Sequence, residues 1–199
     1  MQLPDKKYHI IYADPPWTFK TWSDKGKGKS AEQHYDCMTM EDIKNLSVQD
    51  ICEEDAVCIM WVTFPLLKEG IETLEAWGFE YKTVAFNWVK RNKKANSWFV
   101  GMGYYTRSNA EIAILGTKGK VLQRAHHNVP QVCDDRIREH SRKPDIIRQR
   151  IIDLFGDISR IELFCRDAPQ GWDTWGDETG KFDSTTLEPH FGLDNPTQI

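Results

Sequence analysis

Short apolar runs alternate along this chain with amphipathic and polar stretches, and the alternation predicts an ordered series of strands and helices. Residues 9–13 read as a short buried strand. Residues 18–36 read as a loop, with "DKGKGKS" at its flexible centre. Thr39 is placed to cap a short helix, with Asp42 near that helix's N-terminus. Residues 56–63 form the next strand. Pro65 then opens a helix that runs to Trp77 and is stopped by Gly78. Strand periodicity over 81–89 puts Val84, Phe86 and Trp88 on one face. Residues 91–107 are a Gly/Asn-rich loop, 110–115 a strand, and 123–140 a long aperiodic loop. Ser141 leads into a helix with Pro144 in its first turn and Ile147, Ile151, Leu154 and Phe155 as its apolar stripe, ended by Gly156. Residues 160–165 form the last strand. Strands alternating with helices predict one α/β domain with a largely parallel sheet over residues 1–180, followed by a polar tail over 181–199.

Composition narrows the class. With 199 residues, 40% of them hydrophobic, the chain can build a real core. Its longest apolar run, "AVCIMWV", is too short to span a bilayer, and "MQLPDKKYHI" lacks the apolar region of a signal peptide. Five cysteines form no CxxC pair and leave one unpaired, which suits a reduced cytoplasmic protein; Cys58 and Cys165 sit in apolar runs as small core residues. The net charge of −4 excludes a globally basic nucleic-acid binder. Positive charge is local instead, in "KGKGK" (Lys25, Lys27, Lys29), in "KRNKK" (Lys90, Arg91, Lys93, Lys94) and in "RIREHSRK". Such runs among Gly, Asn and Ser suit arms around a phosphate-bearing partner.

The chemistry concentrates where the first strand ends, in "DPPW". A single Gly or Asn would end a strand more cheaply than an acid, two prolines and a tryptophan. Pro15 and Pro16 stiffen the turn and hold Asp14 and Pro15 extended. The Asp14 carboxylate and the Pro15 carbonyl are then two convergent acceptors beside the flat indole of Trp17. That set fits an exocyclic amino group on a planar ring. In open α/β sheets ligands bind beyond the carboxyl ends of strands, which brings this turn together with "CRDAPQGWDTWGDE" after the last strand. No GxGxxG or Walker loop follows any strand. His126, His127, Cys133 and His140 match no zinc spacing, so no metal is expected.

These residues carry a resemblance. The chain resembles the amino-methyltransferase family typified by the eukaryotic mRNA N6-adenosine methyltransferase, which also has phage and bacterial DNA N6-adenine members. "DPPW" matches the catalytic motif, "WVTFPLLKEGIETLEAWGFEYKTVAFNWVK" the segment after it, and "EHSRKPD" the Ser-x-Lys-Pro-Asp element. "IELFCR" and "GWDTWGDE" resemble the closing strand and loop of the cofactor site. The resemblance implies a Rossmann-like fold, helices on both faces of the sheet, with the catalytic motif first and the cofactor strand last. It implies S-adenosylmethionine as cofactor, held by Asp14, Lys143, Arg166, Asp177 and Glu178. The last two are acids where the mRNA enzyme carries amides. It implies that Asp14, Pro15, Pro16 and Trp17 hold and stack adenine for methylation of its 6-amino group. The compact size points to a phage or bacterial DNA enzyme in the cytoplasm, with an RNA enzyme or a non-catalytic binding subunit as alternatives. Cytosine amino methylation would use similar chemistry. Trp61, Trp77 and Trp88, at helix or strand positions, are expected in the core rather than against a base.

Overall fold

A computed structural model of the protein describes residues 2–17, 38–139 and 142–176. Seven strands form one sheet: β1 (Tyr8–Ala13), β2 (Cys52–Val62), β3 (Glu80–Arg91), β4 (Ala110–Lys118), β5 (Val132–Arg136), β6 (Arg160–Leu163) and β7 (Asp173–Trp175). Their spatial order is β5-β3-β4-β2-β1-β6-β7. β1 lies inside the sheet, parallel to β2 on one side and to β6 on the other. β4 is antiparallel to both of its neighbours, β2 and β3, and every other pairing is parallel. β4 therefore runs against the rest. Its first residues share one edge of the sheet with the carboxyl ends of the other strands, and that edge carries the site.

Among the described residues three α-helices cover the sheet: α1 (Met40–Lys44), α2 (Leu67–Ala76) and α3 (Ile146–Phe155). The cap expected at Thr39 is present, its side chain accepting from the Asp42 amide. Ile43 of α1, Leu74 of α2 and the following Trp77 and Phe79 pack on one face, against Ile11, Cys58 and Met60. Ile147, Ile151 and Phe155 of α3 pack on the other, against Ile10, Tyr12 and Ile59. From Ile10 onward the odd and even residues of β1 thus feed separate cores, as strand geometry requires, while Tyr8, before an irregularity in the pairing with β2, joins Ile11 and Ala13 in the first. Helices on both faces of a mostly parallel sheet make the Rossmann-like α/β arrangement expected from the sequence.

Several local expectations need correction. Val84 does not share a face with Phe86 and Trp88. A bulge sets Val84 opposite Ile114 and Phe86 opposite the next residue, Ala113, so Val84 joins the first core while Phe86 and Trp88 join the second. The stretch read as loop over 123–140 contains β5. Only Cys133 of that strand is buried, so main-chain pairing to β3 holds it and no apolar alternation announces it. α3 begins after Pro144, which instead offers its carbonyl to the Ile147 amide at 3.1 Å. Ahead of α2, residues 64–66 form a 3-10 turn around Pro65, and Gly78 takes the left-handed conformation that ends the helix. β7 was not anticipated. Ser141 and the tail over 181–199 lie outside the described residues.

Among the described residues the cysteines are structural; Cys37 lies outside them. Cys52, Cys58, Cys133 and Cys165 are all free and buried. Burial pushes the thiols of Cys52 and Cys133 up to about 11, which keeps them protonated and poorly nucleophilic at neutral pH.

Candidate active site

The turn after β1 is built as its prolines dictate. Asp14 is partly exposed, while Pro15 and Trp17 are buried. The Trp17 amide donates to the Pro15 carbonyl at 2.8 Å, which closes the turn on itself. The carbonyl expected to stand free thus has one acceptor position engaged and one left. Trp17 is no open plate either. It is 7% exposed, lies in the core, and its Nε1 donates to the Trp61 carbonyl at 2.9 Å. Its part in the turn is to anchor "DPPW" to β2.

Lys143 comes to Asp14 from the segment before α3. Its Nζ donates to both carboxylate oxygens, at 2.7 and 2.9 Å. The same Nζ lies 3.5 Å from Glu111 of β4, which is also paired with Lys90 of β3. Lys90, Glu111, Lys143 and Asp14 therefore form an alternating row of charges along the sheet edge. Burial alone would raise the Glu111 pKa, but Lys143 and Lys90 outweigh it and hold the carboxyl below the usual carboxylate range. Glu111 was not singled out from the sequence. Its signal was the one that marked Asp14, an acid at the margin of an apolar strand, here "EIAIL".

The loop after β6 forms the opposite wall. A cleft is lined by Asp14, Lys143, Phe164, Arg166 and Asp167 together with Arg142, Arg148 and Glu162. Phe164 has a φ of 61°, a strained setting for a non-glycine residue, and its ring meets Trp175 edge-on at 5.3 Å. Arg148 of α3 braces this wall. Its guanidinium takes Glu162 at 2.6 and 2.9 Å and Asp167 at 2.7 and 3.1 Å. Burial opposes the charge on Arg148, yet these carboxylates raise its pKa, so it stays a cation. Cys165 completes the cluster, donating to the Asp167 carbonyl. Glu162, Cys165 and Asp167 are close enough to share a metal, but the guanidinium already supplies the positive charge between the two acids.

Asp14, Lys143 and Arg166, which the resemblance assigns together to the cofactor, line one cleft. Asp177 and Glu178 lie outside the described residues, as do Lys25, Lys27 and Lys29. The second basic run is not the open arm it was read as. Lys90 and Arg91 belong to β3. Lys90 is paired with Glu111 and lies over Trp88, while Arg91 binds both oxygens of Asp134. Only Lys93 and Lys94 of that run are exposed. Trp61, Trp77 and Trp88 are buried at 1%, 0% and 3% exposure, as expected for core residues.

The donor set has a definite chemistry. Lys143 and Arg166 can bind a carboxylate, Asp14 and Asp167 an ammonium group, and Phe164 an aromatic ring. An α-amino acid tail joined to a nucleoside fits that list. Comparison with known proteins places the chain in a family. The MT-A70 family model matches residues 8–178. The type II methyltransferase M.MunI of Mycoplasma sp. is 36% identical over 191 residues, covering 88% of this chain and 79% of that one. The human N(6)-adenosine-methyltransferase catalytic subunit METTL3 is 28% identical over 178 residues, covering 86% of this chain and 28% of that protein. The human N(6)-adenine-specific methyltransferase METTL4 is 22% identical over 191 residues, covering 89% and 38%. The chain thus matches M.MunI over most of both lengths and spans less than two fifths of the two human proteins.

Proposed function

The chain belongs to the MT-A70 family, and on that premise we propose that it transfers a methyl group from S-adenosylmethionine to the 6-amino group of adenine in DNA. The observation that carries this reading is the intact "DPPW" turn, with Asp14 opening onto a cleft of amino-acid- and ring-binding groups. DNA is favoured over RNA because the match to a type II methyltransferase covers most of both chains.

Lys143 and Arg166 would hold the cofactor's carboxylate, Asp14 and Asp167 face its ammonium, and Phe164 contact its adenine. When bound, S-adenosylmethionine supplies the methyl as an electrophile on a positively charged sulfur. The residues of the turn address the other reactant. The adenine amino nitrogen is a poor nucleophile because its lone pair is delocalised into the ring. Asp14 accepts a hydrogen bond from one amino N–H, and the remaining acceptor position of Pro15 accepts one from the other. This favours a pyramidal nitrogen and stabilises the positive charge that grows on it. Once the nitrogen carries the methyl, Asp14 is placed to receive the one proton it sheds and pass it to solvent. Pro16 keeps Pro15 extended, so the two acceptors need no rearrangement. Trp17 fixes the turn to β2 through the Trp61 carbonyl, and orientation supplies much of the rate. Lys143, bonded to both Asp14 oxygens, sets where that carboxylate points.

The test is product identification. DNA and RNA are each incubated with the protein and S-adenosylmethionine, digested to nucleosides and analysed by mass spectrometry. N6-methyldeoxyadenosine is the expected product. A methylated cytosine, or no product from a protein that binds the cofactor, would overturn the reading.

A further inference from the structure

The segment joining β3 to β4, residues 92–109, rises from the same edge as Asp14. Its base is firmly tied. The Lys90 amide donates to Asn109 at 2.8 Å, Phe99 donates to Lys90 at 2.8 Å, and Gly101 donates to Ser108 at 2.7 Å. The Arg91 guanidinium sits 4.1 Å over the Trp98 ring. The outer half is different. Met102 is 58% exposed, Tyr104 71% and Tyr105 92%, and the two tyrosine rings meet edge-on at 4.9 Å. Large apolar groups concentrated at one loop tip mark an interaction surface rather than scattered surface residues.

The charge of the loop says what kind of partner fits. Residues 92–109 include Lys93, Lys94 and Arg107 and no acid, in a protein with a net charge of −4. Cations with no carboxylate among them suit a polyanion, and tyrosine rings among those cations suit flat bases. The position adds a third constraint. Lys90, at the foot of the loop, pairs with Glu111, which adjoins Lys143 on Asp14. A base delivered to Asp14 from a duplex leaves a gap in the stack, and unstacking is the main cost of that delivery.

We propose that the loop 92–109 is a nucleic-acid contact surface, in which Tyr104 and Tyr105 stack on bases next to the target adenine while Lys93, Lys94 and Arg107 meet the phosphates. The proposal rests on the nucleic-acid methyltransferase reading above. It assigns the nucleic-acid contact to aromatic stacking as well as to the basic runs.

The test compares the wild-type chain with Tyr104→Ala/Tyr105→Ala and with Tyr104→Phe/Tyr105→Phe. Binding of fluorescein-labelled poly(dA) and of a duplex of alternating dA and dT is followed by anisotropy over a range of salt concentrations. The alanine pair should lose about tenfold or more in affinity for poly(dA), since each stacked base contributes substantially. The slope of log affinity against log salt should not change, because no cation is removed. The phenylalanine pair should bind like wild type. S-adenosylmethionine affinity and far-UV circular dichroism should be unaltered in both. Equal binding by the alanine pair, with a wild type that binds and methylates DNA, overturns the role of the loop alone. A loss of binding that tracks the dissociation of a dimer in sedimentation also overturns it, in favour of a contact between copies. A wild type that binds S-adenosylmethionine but no nucleic acid overturns both this proposal and the function beneath it.

Discussion

The Asp14 carboxylate has an ammonium group at 2.7 and 2.9 Å and a cleft in front of it, so two substitutions separate its roles. Asp14→Ala removes an acceptor for the amino group without removing core, and a tritiated-methyl assay should find transfer abolished while circular dichroism finds the fold intact. Full activity would sink the assignment. Lys143→Ala leaves Asp14 in place but unheld. A charge-assisted hydrogen bond contributes about 1.5–3 kcal/mol, so kcat should fall tenfold or more. S-adenosylmethionine affinity should fall less, because Arg166 still lines the cleft. If calorimetry instead shows a tenfold loss of affinity with kcat kept, Lys143 serves the cofactor's carboxylate and not Asp14. Glu111 gives a pH signature. Its folded pKa is held below the ordinary value, so it stabilises the native state above that ordinary value, and the gain is lost as the pH falls through the depressed one. Glu111→Gln should therefore be less stable than wild type at neutral pH and converge with it in acid, as read by urea midpoints. A constant difference at every pH would exclude the ion pairs as its cause. Asp14 was legible from the sequence because its chemistry is contiguous, four residues in a row. Lys90 and Arg91 were misread because their partners, Glu111 and Asp134, stand 21 and 43 residues away, and a charge run does not show who answers it.

At the level of elements, what was legible depended on which face was buried. β1 is an apolar run buried on both faces, α3 buries a regular stripe, and both were placed to within a few residues. β5 buries one side chain of five, and no pattern could reveal it. The bulge between Val84 and Phe86 shows only in the pairing of β3 with β4, and the alternation within β3 does not announce it. The contact of α2 with the sheet rests on a missing side chain. A Cβ at Gly116 of β4 would stand 2.3 Å from the Leu74 Cδ2 and 3.0 Å from the Phe79 Cβ. Both neighbours are buried, so α2 or the turn after it must shift. Gly116→Ala should cost about 1–3 kcal/mol by overpacking, less the few tenths or more that alanine gains over glycine in the unfolded chain. Calorimetry should find Tm lowered by several degrees. An unchanged Tm would mean that Leu74 has room to turn away.

For the molecule as a whole, family and fold were legible because four motifs keep their order along most of the chain. The electrostatic surface was legible only in part. Arg91 is spent on an internal pair, and the free charge of the second basic run reduces to Lys93 and Lys94. Under the proposed function, the first run, Lys25, Lys27 and Lys29, is then expected to supply more of the phosphate contacts than the second. Replacing these three with alanine should reduce the slope of log affinity against log salt by about 2–3 for duplex DNA, with target preference unchanged. An unaltered slope would show that these lysines stay in solvent.

The place of β1 also sets a schedule. Its register with β6 joins Ile10 to Arg160 and Ala13 to Leu163, about 150 residues further along the chain. At roughly 5–20 residues per second of synthesis, the ribosome needs about ten to thirty seconds to deliver that partner. Until then β1 shows an unpaired, apolar edge, the kind that invites pairing with a foreign strand. The turn bearing Asp14 is likewise made well before the wall opposite it, from Phe164 to Asp167. While those ~150 residues are made, a nascent chain therefore carries its reactive motif without a cleft to use it in, and a chaperone that shields that edge would govern the yield of working enzyme.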